Sequence, residues 1–149
     1  MTKKERVVDE VEAKEMISSL VSMGVSHAWR GYGSAVFFEL GNLRKGKGKN
    51  PKGECSIMIE WSWRFEEGDS IKIGSWSDVD LINRLCPRVV GLKINSVSFY
   101  SRLKELEIGF SDSSRFLTFA TAEGNPEWAI QNREGHWLSF KNGEFVVLS

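Results

Sequence analysis

Between residues 56 and 65 the side chains of Ile57, Ile59, Trp61, Trp63 and Phe65 alternate with Met58, Glu60, Ser62 and Arg64. Five large apolar groups on a period of two cannot share one side of a helix, but they line one face of a strand roughly 33 Å long. Burying each is worth about 1.5–3 kcal/mol before entropy is counted, so this segment is expected to organise the core. Val36, Phe38 and Leu40 face together on an earlier strand. Ile71 and Ile73 share one side of a following strand, residues 70–75, reached through the turn-like Glu67-Gly68-Asp69, which predicts a hairpin. Further strands are predicted at residues 92–99, 103–110, 115–120, 128–131, 136–140 and 144–148. Between them lie Ser111-Asp112-Ser113-Ser114, Glu123-Gly124-Asn125-Pro126, Glu134-Gly135 and Asn142-Gly143, all with turn chemistry. Connections this short favour antiparallel pairing over crossover units.

Two segments follow the helical period instead. Val8, Val11, Met16, Ile17, Leu20 and Val21 recur at three- and four-residue steps, with Asp9 and Glu12 spaced as a cap and Gly24 as a stop. A second, shorter helix begins at Ser77, carries Leu81, Ile82 and Leu85, and is expected to end at Pro87. The pattern predicts one α+β domain over residues 1–149, predominantly antiparallel β-sheet with an N-terminal helix and a short central helix. An internal echo accompanies it: Ile17 and Leu20 match Ile82 and Leu85, Glu39 matches Glu107, and Trp61 matches Trp128. Two duplicated halves sharing one core, about 8–76 and 77–149, would produce this echo. Chance would as well, because helix faces and alternating strands recur widely.

The 149 residues fit one domain, and 41% apolar with 27% charged residues excludes a disordered chain. Twenty basic and twenty acidic groups cancel, so no global field exists for gripping nucleic acid or an anionic membrane. No apolar run approaches the length of a bilayer-spanning helix. Acidic residues fill the place where a signal peptide would be apolar, so the expected location is cytoplasmic. In a reducing compartment Cys55 and Cys86 are expected as free thiols. His27 and His136 have no metal-ligand spacing, and no cofactor is implied.

Gly31-Tyr32-Gly33-Ser34, Phe37-Phe38-Glu39-Leu40-Gly41, Gly53-Glu54, Trp61-x-Trp63-Arg64 and Gly91-x-x-Ile94 together resemble a group of small bacterial conserved hypothetical proteins, over residues 31–128. The resemblance implies a bacterial α+β domain and transfers no catalytic residue. Toxin-immunity factors of similar size and setting supply an analogy.

Chemistry is sparse along the chain. Arg44, Lys45, Lys47, Lys49 and Lys52 place five cations in nine residues, either a solvated hairpin loop or an arm that touches phosphates. No aromatic residue interleaves with them in sequence, as a single-strand binder would want. Gly46-Lys47-Gly48-Lys49 lacks the spacing of a phosphate-binding loop. Trp61 and Trp63 are expected to point inward and Trp76 to lie at a rim. Glu60 and Arg64, with Lys72 on the neighbouring strand, form a polar face that reads either as cross-strand ion pairs or as a surface for a charged ligand. Glu39 and Glu107, each between apolar neighbours, are candidates for paired acids or simply outward strand positions. With no nucleophile motif, the expected function is a non-enzymatic interaction module, binding another protein or itself as a homodimer. A toxin-immunity protein is one specific form of it. A small-ligand site or enzyme near Trp76, using Glu60, Arg64 or His136, is the alternative, and a weak nucleic-acid binder through residues 44–52 is the third.

Overall fold

A computed structural model describes residues 3–122 and 127–149. The chain runs β1 (Glu5–Val8), α1 (Glu10–Ser18), β2 (Val25–Arg30), β3 (Val36–Leu40), β4 (Cys55–Ile59), β5 (Trp63–Glu67), β6 (Ser70–Gly74), α2 (Val79–Val89), β7 (Ile94–Tyr100), β8 (Glu105–Phe110), β9 (Arg115–Thr118), β10 (Trp128–Gln131), β11 (Trp137–Lys141) and β12 (Glu144–Leu148). The expected α+β fold with antiparallel sheet is what it forms. Among the described residues seven strands lie in the order β1-β12-β11-β10-β4-β3-β2, and five in the order β6-β5-β9-β8-β7, every pairing antiparallel. Inward side chains of both sheets meet in one apolar core, where Phe38 of the large sheet packs edge-on against Phe110 and Phe116 of the small one. Among the described residues no helix is long and apolar enough to cross a membrane.

Residues 56–65 correct the sequence reading. They form two strands in two different sheets, with residues 60–62 crossing between them. Ile57, Ile59, Trp63 and Phe65 are fully buried, whereas Trp61 is 65% exposed on the crossing. The alternation survives the break because both strands turn their inward side chains to the same core. Ile71 is likewise exposed, since a bulge between Phe65 and Glu66 shifts its register and leaves only Ile73 inside. Val11 and Val21 of the predicted helical stripe also face solvent. The Asp9 side chain accepts from the Glu12 backbone N–H, as the capping spacing predicts. In α2 the N-cap is Asp78 rather than Ser77, and the helix continues through Pro87 to Val89, which is fully buried. The charged start also yields a strand, β1, by pairing with β12. The predicted turn at residues 123–126 lies outside the described residues.

The two halves repeat one pattern of hydrogen bonds. Asp9 and Asp78 hold the N-cap positions of the two helices, although only the Asp9 side chain accepts a capping bond, and one bulge interrupts β2–β3 after Val25 and β7–β8 after Ile94. The Val25 N–H bonds Leu92 O at 2.8 Å, and the Ile94 N–H bonds Met23 O at 2.9 Å. Gly41 N–H to Gly24 O is matched by Ser111 N–H to Lys93 O, at 3.0 and 2.9 Å. Gly24 and Lys93 bridge each other, which places a local twofold axis between them. The indoles of Trp63 and Trp128 donate to Ser34 O and Lys104 O, at 2.8 and 3.0 Å. Trp63, not Trp61, is therefore the counterpart of Trp128. Each half also lends parts to the other: the β5–β6 hairpin extends the β7–β8–β9 meander, and β10–β11 extends β2–β3–β4. In the same manner α1 packs on β7 and α2 on β2.

Candidate functional site

Strand alternation places Trp29 and His27 of β2, Phe37 and Glu39 of β3, and Ser56 of β4 on the outer face of the large sheet, opposite the core residues Ala28, Phe38 and Ile57. Register then aligns one row across the strands: His27, Glu39, Ser56, Gln131, Trp137 and Leu148 are successive cross-strand neighbours. Residues 41–54, which join β3 to β4, fold back over this row. Together they enclose a half-open cavity of about 810 Å³, walled by Trp29, Glu39, Gln131 and Trp137 and by the loop's own cations.

Glu39 fastens the loop. It is only 4% exposed, and its carboxylate accepts from the Trp29 indole N–H (3.2 Å), the Gly53 backbone N–H (3.1 Å) and the Ser56 hydroxyl (2.5 Å). Three donors on one buried carboxylate hold an indole, a strand and the returning loop in fixed relation. Gly53 can reach it only as glycine, because a Cβ there would meet the Leu40 backbone N and O at 2.5 Å. At the loop's other end the Asn42 N–H donates to the Glu54 carboxylate at 2.7 Å, and Arg44 and Lys52 bridge through two 2.8 Å backbone bonds. The loop is a built feature and not a free arm.

Its cations face little countercharge. Among the described residues, none of Lys3, Arg44, Lys45, Lys47, Lys49 and Lys52 is within ion-pairing distance of a carboxylate, whereas Arg64, Arg88, Arg115 and Arg133 all are. Lys52 lies deepest, its ammonium 3.3 Å from Ser56 Oγ and 5.1 Å above the Trp137 ring. Burial holds this ammonium below the ordinary lysine value, against the pull of the nearby Glu39 charge.

A second cavity, of about 390 Å³, adjoins the first across Trp29 and is lined by residues 31–35, Phe37, Glu60 and Trp61. Trp29 stacks on Phe37 with centroids 3.9 Å apart and planes 7° from parallel. Tyr32 stands 98% exposed at the rim.

The residues singled out from sequence do not converge. Arg64 and Trp76 border one shallow depression on the small sheet with Ile71, Ser75 and Phe119. Arg64 is paired there with Glu66 at 2.6 Å and lies over the Phe119 ring, and Trp76 is 91% exposed. Lys72 is exposed at the β6 bulge. Glu60 sits on the crossing and lines the aromatic cavity. His136 occupies the β10–β11 turn, where its backbone N–H donates to Asn132 Oδ1. Glu39 and Glu107 lie in different sheets and form no acid pair. Cys55 and Cys86 are free thiols, and burial raises both above the ordinary cysteine value. Among the described residues no group of three His, Cys, Asp or Glu side chains gathers to hold a metal.

Trp29, Gln131 and Trp137 escaped the sequence reading: Trp29 comes with the local β2–β3 pairing, whereas Gln131 and Trp137 reach the basic loop only through the insertion of β10–β11 beside β4. Alternation marks them as outward, but strand order has no local signal. No family model, curated protein or solved structure matches this chain.

Proposed function

We propose that this protein is a non-enzymatic binding module, that its binding face is the outer side of the seven-stranded sheet beneath residues 41–54, and that it takes an anionic ligand. The observation that carries this reading is where the two halves differ. They share bulges and buried indoles, yet β3 and β4 are joined by fourteen residues (41–54) and β8 and β9 by four (111–114). By the same correspondence Glu39 stands where the other half has Gly109, and Ser56 where it has Arg115. Departures from the repeat gather around one cavity, and insertions on a repeated scaffold are where binding residues reside.

Charge supports an anion. The loop lysines are point charges on a glycine-punctuated segment, which suits a phosphate or sulfate group better than the planar fork a carboxylate prefers. Binding is favoured over catalysis by the Ser56 environment. Its hydroxyl lies beside Lys52 and Glu39, a pairing that would otherwise suggest a nucleophile, but at 1% exposure it cannot meet a substrate.

The test is calorimetric titration of the full chain with inorganic triphosphate at low and moderate salt. Saturable binding that weakens steeply with salt is expected, and Lys45, Lys47 and Lys49 changed together to Ala should abolish it while shifting stability by less than about 0.5 kcal/mol. Absence of binding at low salt, or an unaffected triple variant, overturns the proposal.

A further inference from the structure

Resting on that reading, we infer that the ligand is a nucleoside phosphate, free or as a unit of a single strand. Its phosphates would lie among the loop cations and its base in the adjoining aromatic cavity.

Three observations converge on a ligand with two unlike ends. The cationic cavity and the aromatic cavity share Trp29 as a common wall, which sets a charged site and a stacking site side by side. The aromatic side is prepared for a flat ring: the Trp29 edge is held by Glu39 and one of its faces by Phe37. An indole so fixed loses little freedom when something stacks nearby. Tyr32 and Trp61, both far more exposed than aromatic residues ordinarily are, flank the same opening. Finally, each end has its own chemistry. Lysines supply charge that any phosphate satisfies, whereas stacking tolerates any base because every base presents a π-face.

The chain thus assembles in space what its sequence keeps apart. The basic loop contains no aromatic residue, and the aromatic groups come from β2, β3, β11, residue 32 and residue 61. The local arrangement is that of single-strand binders, a positive groove beside stacking platforms, on a protein whose overall charge is zero.

Four ligands are titrated against the full chain while tryptophan fluorescence is followed: inorganic triphosphate, ribose 5-phosphate, a ribonucleoside triphosphate and a short single-stranded oligonucleotide. The nucleoside triphosphate or the oligonucleotide should bind about tenfold more tightly than inorganic triphosphate, with quenching that the inorganic anion does not produce. Preference for the oligonucleotide assigns the unit of a strand; equal or better binding of the free nucleotide assigns the small molecule. The double variant Tyr32→Ala, Trp61→Ala alters only exposed side chains and so leaves folding intact. It should erase the tenfold difference and leave inorganic triphosphate binding unchanged. Equal affinity for nucleotide and inorganic triphosphate, or an indifferent double variant, overturns the inference while the anion site stands. If none of the four binds, the anion site itself falls.

Discussion

Residues 41–54 and residues 111–114 connect corresponding strands in the two halves, and they end up with opposite characters. The short connection is a closed turn. Asp112 accepts from the Ser114 N–H and hydroxyl and pairs with Arg88 at 2.6 Å, so its charge is spent locally. On the outer face beside it, Glu66 is paired with both Arg64 and Arg115. The long connection carries five cations to an outer face whose buried carboxylate is already committed to three neutral donors. One scaffold therefore presents a neutralised face and an unneutralised one. Lengthening such a connection from four to fourteen residues costs only about 1 kcal/mol in loop entropy, a small term against the stability of a domain. The contrast shows how a repeated fold can add a site without rebuilding its core.

The comparison breaks most severely if the halves are not energetic equals. Trp63 and Trp128 occupy corresponding positions, both nearly or fully buried and both bonded to a backbone carbonyl. Changing either to Ala is expected to cost about 3–5 kcal/mol in urea unfolding, with the two losses similar. A negligible loss at one of them would reduce the correspondence to appearance. Next in size is Glu39→Ala, which strands the Gly53 and Trp29 N–H groups and the Ser56 hydroxyl. A loss of about 2–3 kcal/mol is expected, together with loss of anion binding, and a neutral result would mean the loop is not fastened here.

Most of the fold was legible because periodicity and turn chemistry act locally. β10 and β12 fall at their predicted residues, and Asn142 and Gly143 adopt the positive φ that their hairpin requires. The single strand over residues 56–65 failed because alternation reports only which way side chains point, and both sheets point to one core. The candidate site was less legible still. Glu39 stands out for its apolar neighbours and the loop for its charge, but their union with Gln131 and Trp137 depends on strands exchanged between halves. That exchange is fixed by long-range pairing, which no short window of sequence encodes. The echo drawn through Trp61 missed its partner by two positions for the same reason.

Exchange of the connections sharpens the comparison directly. Replacing residues 42–54 by the Asp112-Ser113 pair, between Gly41 and Cys55, should leave a folded protein, because the strands beneath already pair in register. Stability should change by about 1 kcal/mol in either direction, with the lost entropy cost set against the lost Gly53 contact. Anion binding should vanish. Retained binding would move the site away from the loop, and failure to fold would show that the longer connection is structural.

The smallest effect concerns the two crossings between the sheets, where Ser62 of one corresponds to Glu127 of the other. The Glu60 N–H bonds Glu127 O at 2.9 Å, and the Phe119 N–H bonds Ser62 O at 3.0 Å. The Glu127 side chain accepts from the Ser62 N–H, but burial pushes its carboxyl above the ordinary value of 4.5, and the neighbouring charges of Glu105 and Glu60 push the same way. A carboxyl raised on folding holds its proton more tightly in the native state, so its contribution is favourable at low pH and is lost as pH climbs through the raised value. Glu127→Gln keeps an acceptor for the Ser62 N–H and removes the charge. The variant and wild type should be nearly equal in stability below the ordinary glutamate value, and the variant should pull ahead as pH rises toward neutral, then hold a constant lead. Urea midpoints across that window decide it. A lead that does not depend on pH, or a variant that is weaker at neutral pH, would mean that the carboxylate is welcome where it lies and that the two crossings are closer to equal than their side chains suggest.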